Sequence, residues 1–258
     1  MTDGAAPPEP ATAPDRPTSG TDPAAAASRT FSTMDEAFLT AREGAGELIL
    51  VRHGQQDYPK DGVRDLDRWR DPPLSERGVR QAEAVGRALA ARPVDAVFAS
   101  HLQRAYDTGE AVAAAHGVDV VVDPDLREIG MFQDVPAGRN ALEAYGPEVL
   151  REAQARFVAV RRWDVYPGSE TGAALRRRVV AAVERALAAH PAGRVVVACH
   201  GGVINAYLTH VLGLTDQDMF FRPAHASVHR VTFLGERRVI DAVNETAHLV
   251  PADELLTF

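Results

Sequence analysis

A chain of 258 residues, 45% hydrophobic and 25% charged, can bury one large core, and no apolar run in it approaches the roughly 20 residues of a membrane span. Its net charge of −8, from 28 basic and 36 acidic side chains, argues against a general nucleic-acid or anionic-membrane binder. Cys199 is the one cysteine, so no intrachain disulfide can form, and MTDGAAPPEP has neither the basic start nor the apolar stretch of a secretory signal. A cytoplasmic setting is the expectation.

Residues 1–30 read as a disordered Ala/Pro-rich tail: twenty-three of the thirty are Ala, Pro, Gly, Ser or Thr, too little apolar surface to offset the entropy of ordering them. Residues 31–46 follow as a short docking helix and linker, with Phe31, Met34, Phe38 and Leu39 at helical spacing and Thr33 and Glu36 placed for a capping box. From residue 47 to 258 apolar strands alternate with amphipathic helices. ELILVRHG is a buried strand running into a loop. Ser75–Ala91 is a helix with Val79, Ala82, Val85, Ala88 and Leu89 on one side. DAVFAS is a strand, Gln103–Ala115 a helix and VDVVVD another strand. The stretch 127–168 is broken by Pro and Gly, with a helix over Glu148–Val160. Glu170–His190 is a long helix, RVVVAC a strand, Val203–Leu212 a helix, and HASVHRVTF and RRVIDAV a closing hairpin around Gly235. This alternation predicts an α/β fold, a three-layer α/β/α sandwich on a mostly parallel sheet. The segment 127–168 becomes an insertion near the site.

Ligands in such folds bind where strands end and loops begin. Three features fall there: Arg52-His53-Gly54, the run from Ser100 to Arg104, and His200-Gly201-Gly202. No metal-ligand cluster and no Walker-type loop is legible. Arg52, His53, Arg104 and His200 on loops, with Glu128 as a carboxylate candidate, are instead the groups that could meet phosphoryl charge without a metal. Asp123, Asp125 and Asp134 are carboxylates close by in sequence.

LILVRHGQ, PLSERGVRQAEAVG, ASHLQRAYDT, LREIGMFQD, GSETGAALRRRV, VVVACHGGVI and VNETAHL stand in the order seen in the histidine phosphatase superfamily, and the chain resembles its phosphoglycerate-mutase-like branch from about Leu48 to Leu249. RHG alone is a weak signal; RHG and HGG in register with S-x-L-x-R-A are strong. The resemblance implies that a neutral His53 attacks phosphorus and carries the phosphoryl group. It implies that Arg52 and Arg104 grip the phosphoryl oxygens, that His200 donates to one, and that Gly201 and Gly202 let a helix N-terminus approach the anion. Glu128 matches the general acid, which protonates the leaving oxygen and then activates water.

The chain departs from the pattern at Gln55, where the family often has Glu, so we assign Gln55 to polar contacts beside the phosphate; His101 replaces the usual Asp or Pro. Cys199 reads as a buried small hydrophobe, the other histidines (116, 190, 210, 225 and 229) as surface or packing residues, Asn244 and His248 as structural, and the arginines 176–178 as a solvated helix face. Ser227 carries little weight.

The implied function is metal-independent hydrolysis of phosphate monoesters without a cofactor. The alternatives are a phosphoglycerate-mutase-type transfer and a non-catalytic phosphate-binding module. The expected partner is a small phosphorylated metabolite, with no nucleic acid and no membrane; oligomeric state is unknown, a dimer being kept open. Specificity should reside in 55–72 and 127–168.

Overall fold

The computed structural model describes residue 1 and residues 33–40, 43–59, 66–136, 138–250 and 255–258. Apart from Met1, the expected tail over 1–30 lies outside the described residues, as do Phe31 and residues 60–65 of the 55–72 loop. Residues 33–38 form a short helix, α1.

The rest of the chain builds a sheet from β1 (Gly46–Arg52), β2 (Ala96–Ala99), β3 (Val120–Val122), β4 (Arg194–Cys199), β5 (Val228–Leu234) and β6 (Arg237–Glu245). The spatial order is β3-β2-β4-β1-β5-β6. β1, β2, β3 and β4 run parallel, and β5 is antiparallel to both β1 and β6. The central strands are apolar without alternation because both their faces are covered. Leu48, Leu50, Val195 and Val197 face α6 (Gly172–Ala189) and α7 (Gly201–Val211). Ile49, Val51, Val97 and Val196 face α3 (Glu76–Leu89) and α4 (Gln103–Ala114). The three-layer α/β/α reading holds.

Two details differ from the periodicity. On α3, Val79 and Ala88 are exposed and Gln81 is fully buried. The cause is a close approach of backbones: a Cβ on Gly54 would overlap the Gly78 carbonyl, and one on Gly78 would overlap that of Gln55. That contact turns Gln81 inward, where its amide accepts from Gln55 N at 2.7 Å and donates to the Leu255 carbonyl. In the 127–168 segment, α5 (Ala141–Val160) is two helical segments: a short one opened by the Asn140–Glu143 capping box, and a second that resumes at Pro147, next to the expected start at Glu148, after Gly146 (φ 79°, ψ 164°) leaves helical geometry.

Candidate active site

β1 and β4 pair through Arg52 opposite Cys199, so the residues just beyond them, His53 and His200, emerge side by side. Their ring centroids are 5.1 Å apart. His53 N donates to Cys199 O at 2.9 Å, and Ala226 N donates to His53 O at 3.2 Å, so the nucleophile candidate is pinned between both neighbouring strands. His53 and His200 are buried.

Hydrogen bonding fixes the state of His53. A carbonyl only accepts, so Nδ1 must carry the proton it gives to Gly54 O at 2.7 Å. That leaves the Nε2 lone pair exposed to Arg104, whose Nε donates to it at 3.3 Å. Burial, then the neighbouring His200, Arg104 and Arg52, holds the His53 pKa well below its usual value. The ring is neutral at pH 7, with its Nε2 lone pair directed at Arg104. His200 is also kept neutral, by burial and then by Arg104 and Arg52, and neither of its ring nitrogens has a partner among the described residues. Two unpartnered nitrogens in a buried ring are costly unless water or a ligand satisfies them.

Arg104, on the first turn of α4, donates to Arg70 O at 3.0 Å and lies 3.7 Å from Asp71. Its pKa is lowered by burial and lifted back in part by Glu128 and Asp71. Arg52 donates to Pro223 O and, at 3.1 Å, to His225 Nε2, while its own Nε is buried and unpartnered. Burial brings Arg52 down to about 10, which leaves it charged at neutral pH. Glu128 sits across the site: its carboxyl accepts from Gly202 N at 3.2 Å and Ile129 N at 2.9 Å. A side chain at Gly202 would collide with that carboxyl group, which is why a glycine opens α7 there. Of the nearby carboxylates, Asp123 pairs with Arg185, Asp125 with Arg185 and Asp134 with Tyr145, whereas Glu128 lines the cavity next to Arg104.

The Gln55 side-chain oxygen accepts from Ser75, the N-cap of α3, at 3.3 Å, and His101 lies on the cavity wall. A Cβ on Gly201 would reach Arg52 Nε and Pro223 only at ordinary contact distance, so a glycine is not required there by space. Cys199 is buried beneath the site with its thiol pKa pushed up by burial.

Two residues were missed. His225 is buried, with its ring 5.9 Å from that of His53, and holds Arg52 in place while its Nδ1 donates to Thr257. Arg178 is no surface residue. It makes a two-pronged pair with Glu170, 2.7 Å on each arm, and donates to the carbonyls of Asp125, Arg127 and Glu128. The loop that carries Glu128 is therefore shaped by one guanidinium. The run R-R-R itself does not say which arginine turns in, but its flanking Leu175 and Val179 lie on the buried face of α6 and place position 178 beside that face.

Arg178→Ala should cost on the order of 3 kcal/mol, because it leaves Glu170, with only about a tenth of its side chain exposed, no closer partners than the Gly130 N–H and Arg127 at 3.9 Å. It should also lower turnover through misplacement of Glu128. Urea unfolding and steady-state kinetics test this, and an unchanged midpoint would contradict it.

Burial also makes the site acid-sensitive. His225 and His229 are pushed down to about 3, by burial first and then by Arg52. Their folded pKa values lie below the unfolded value of about 6.5, so the unfolded chain binds more protons once pH falls below it. Stability should therefore be full above about pH 6.5 and decline below it, by roughly 1 kcal/mol per pH unit for each buried imidazole. Unfolding free energies compared at about pH 7 and about pH 5.5 check this; equal values would mean that these rings titrate freely in the fold.

Residues 48–246 match the histidine phosphatase superfamily (branch 1). The chain is 30% identical over 221 residues to a Yersinia pestis protein named "Probable phosphoglycerate mutase GpmB", covering 81% of this chain and 98% of that one. Among solved structures, it is similar to one titled "Mycobacterial hydrolase 2", at 26% identity and TM-score 0.66 over 82% of this chain and 95% of the other. It is also similar to a mycobacterial glucosyl-3-phosphoglycerate phosphatase, at 26% identity and TM-score 0.62, covering 78% of this chain and 100% of that one. No helix among the described residues is long and apolar enough to cross a membrane.

Proposed function

The chain belongs to the histidine phosphatase superfamily, and from that premise we propose that it hydrolyses phosphate monoesters through a phosphohistidine at Nε2 of His53. The observation that carries this reading is the hydrogen-bonded state of His53: Nδ1–H committed to Gly54 O, Nε2 unprotonated and beside Arg104.

The chemistry follows from these positions. The Nε2 lone pair forms a bond to phosphorus as the ester P–O bond breaks. The electron pair leaves on the ester oxygen, and the carboxyl proton of Glu128 passes to it. Arg52, Arg104 and His200 meet the charge on the phosphoryl oxygens. Water then gives a proton to Glu128 and attacks phosphorus, releasing phosphate and restoring His53.

Hydrolysis is favoured over the mutase reading by the size of the cavity. About 980 Å³ opens beside Arg104 and Glu128, room for on the order of thirty waters. A mutase has to hold its intermediate away from water. Release of phosphate from an aryl phosphate in the presence of EDTA tests the proposal, with 2- and 3-phosphoglycerate interconversion assayed in parallel. Strict dependence on added metal would contradict the mechanism, and interconversion outpacing phosphate release would replace the hydrolase reading with the mutase one.

A further inference from the structure

We infer that the cavity beside Arg104 and Glu128 is a leaving-group site for apolar alcohols, so that preferred substrates are alkyl or aryl phosphate monoesters and not small phosphorylated acids. The turnover part of this inference rests on the phosphatase reading above; the binding part does not.

The walls carry the argument. Tyr58, Trp69, Leu102, Met131, Phe132 and Leu142 line the space, from the β1 loop, α2 (Leu66–Arg70), the start of α4, the 127–140 stretch and the first turn of α5. Tyr58 and Trp69 stack with ring centroids 5.6 Å apart, and both are exposed, as is Leu142. Large apolar side chains grouped on one exposed concave wall lose hydration when an apolar ligand covers them.

The polar side chains on the same wall are engaged elsewhere. Asn140 caps α5, and Gln133 donates to Gly130 O at 3.1 Å. Arg70 donates to Phe132 O at 3.0 Å. Arg127 lies 3.9 Å from both Asp125 and Glu170, which offset its charge. A phosphorylated acid would bring a second anion into this space. Of the cations described on the wall, Arg104 belongs to the phosphoryl group, Arg127 faces two carboxylates, and Arg70 is tied to a backbone carbonyl. His101 adds one polar ring next to Leu102.

A homologous series of n-alkyl phosphates tests this, because lengthening the chain leaves the leaving-group chemistry nearly constant. A methylene buried fully is worth about fourfold, and one buried by half about twofold. From ethyl to hexyl phosphate kcat/KM should rise at least about tenfold, with 3-phosphoglycerate below hexyl phosphate. Alkylphosphonates, which cannot be hydrolysed, should show the same order in calorimetric affinity. In Trp69→Ala and in Leu142→Ser the hexyl-to-ethyl ratio should fall at least about threefold.

If aryl phosphate is not hydrolysed, the phosphatase reading fails and the phosphonate series still decides the inference. If aryl phosphate is hydrolysed but both series are flat with chain length, or if 3-phosphoglycerate is the fastest substrate, the inference fails alone.

Discussion

His53→Ala should abolish turnover, by roughly 10⁴-fold or more, because it removes the atom proposed to receive phosphorus. The fold around it supplies no substitute: His200, its neighbour at 5.1 Å, is oriented by the next strand, and Cys199 is held protonated by burial beneath the site. Wild-type protein exposed to a labelled phosphate ester should acquire an acid-labile, alkali-stable label, and the variant should acquire none. A label that survives on the variant would move the nucleophile to another residue. The urea midpoint should shift modestly, since one buried ring is lost while the strand pairing beneath it stays.

Glu128→Gln should separate substrates by their leaving groups. Glutamine keeps the shape and can still accept from Gly202 N, so the loop held by Arg178 should be retained. It cannot give up a proton. For alkyl esters, whose oxygen leaves poorly, kcat/KM should fall by about 10²–10⁴. For a nitrophenyl ester kcat/KM should change far less, while the phosphohistidine accumulates because its hydrolysis has lost the base. Equal losses for good and poor leaving groups would assign the acid elsewhere.

These two experiments rest on residues that are legible in the sequence alone. Strands β1 and β4 announce themselves because a strand covered on both faces has no polar alternation, and the loops after them are where topology puts ligands. The order of the motifs did the rest: Arg52, His53, Arg104, Glu128 and His200 are brought to one place. What escaped has a physical reason in each case. His225 follows Pro223 and Ala224 in a stretch with no periodicity, and only the return of β5 beside β1 carries it to Arg52. Arg178 is hidden among three arginines, and its partners are mostly carbonyl oxygens, which leave no mark in a sequence. Gln81 is buried because two glycine backbones touch, a contact between residues 54 and 78 that helical spacing does not encode. Gly146-Pro147 reads as a break and is one; what escaped is the short helical segment before it, too brief to show a period of its own.

The pairing of Arg52 with Cys199 has one more implication. The gap between the two imidazoles is metered in whole peptide steps, since each belongs to the residue just past a parallel rung. Sliding one strand by a single step would displace its histidine by about 3.3 Å and send the side chain to the opposite side of the sheet. Small errors of alignment are thus unavailable to this chain: the sheet acts as a ruler with coarse divisions, and a misfolded register would take the site apart instead of loosening it.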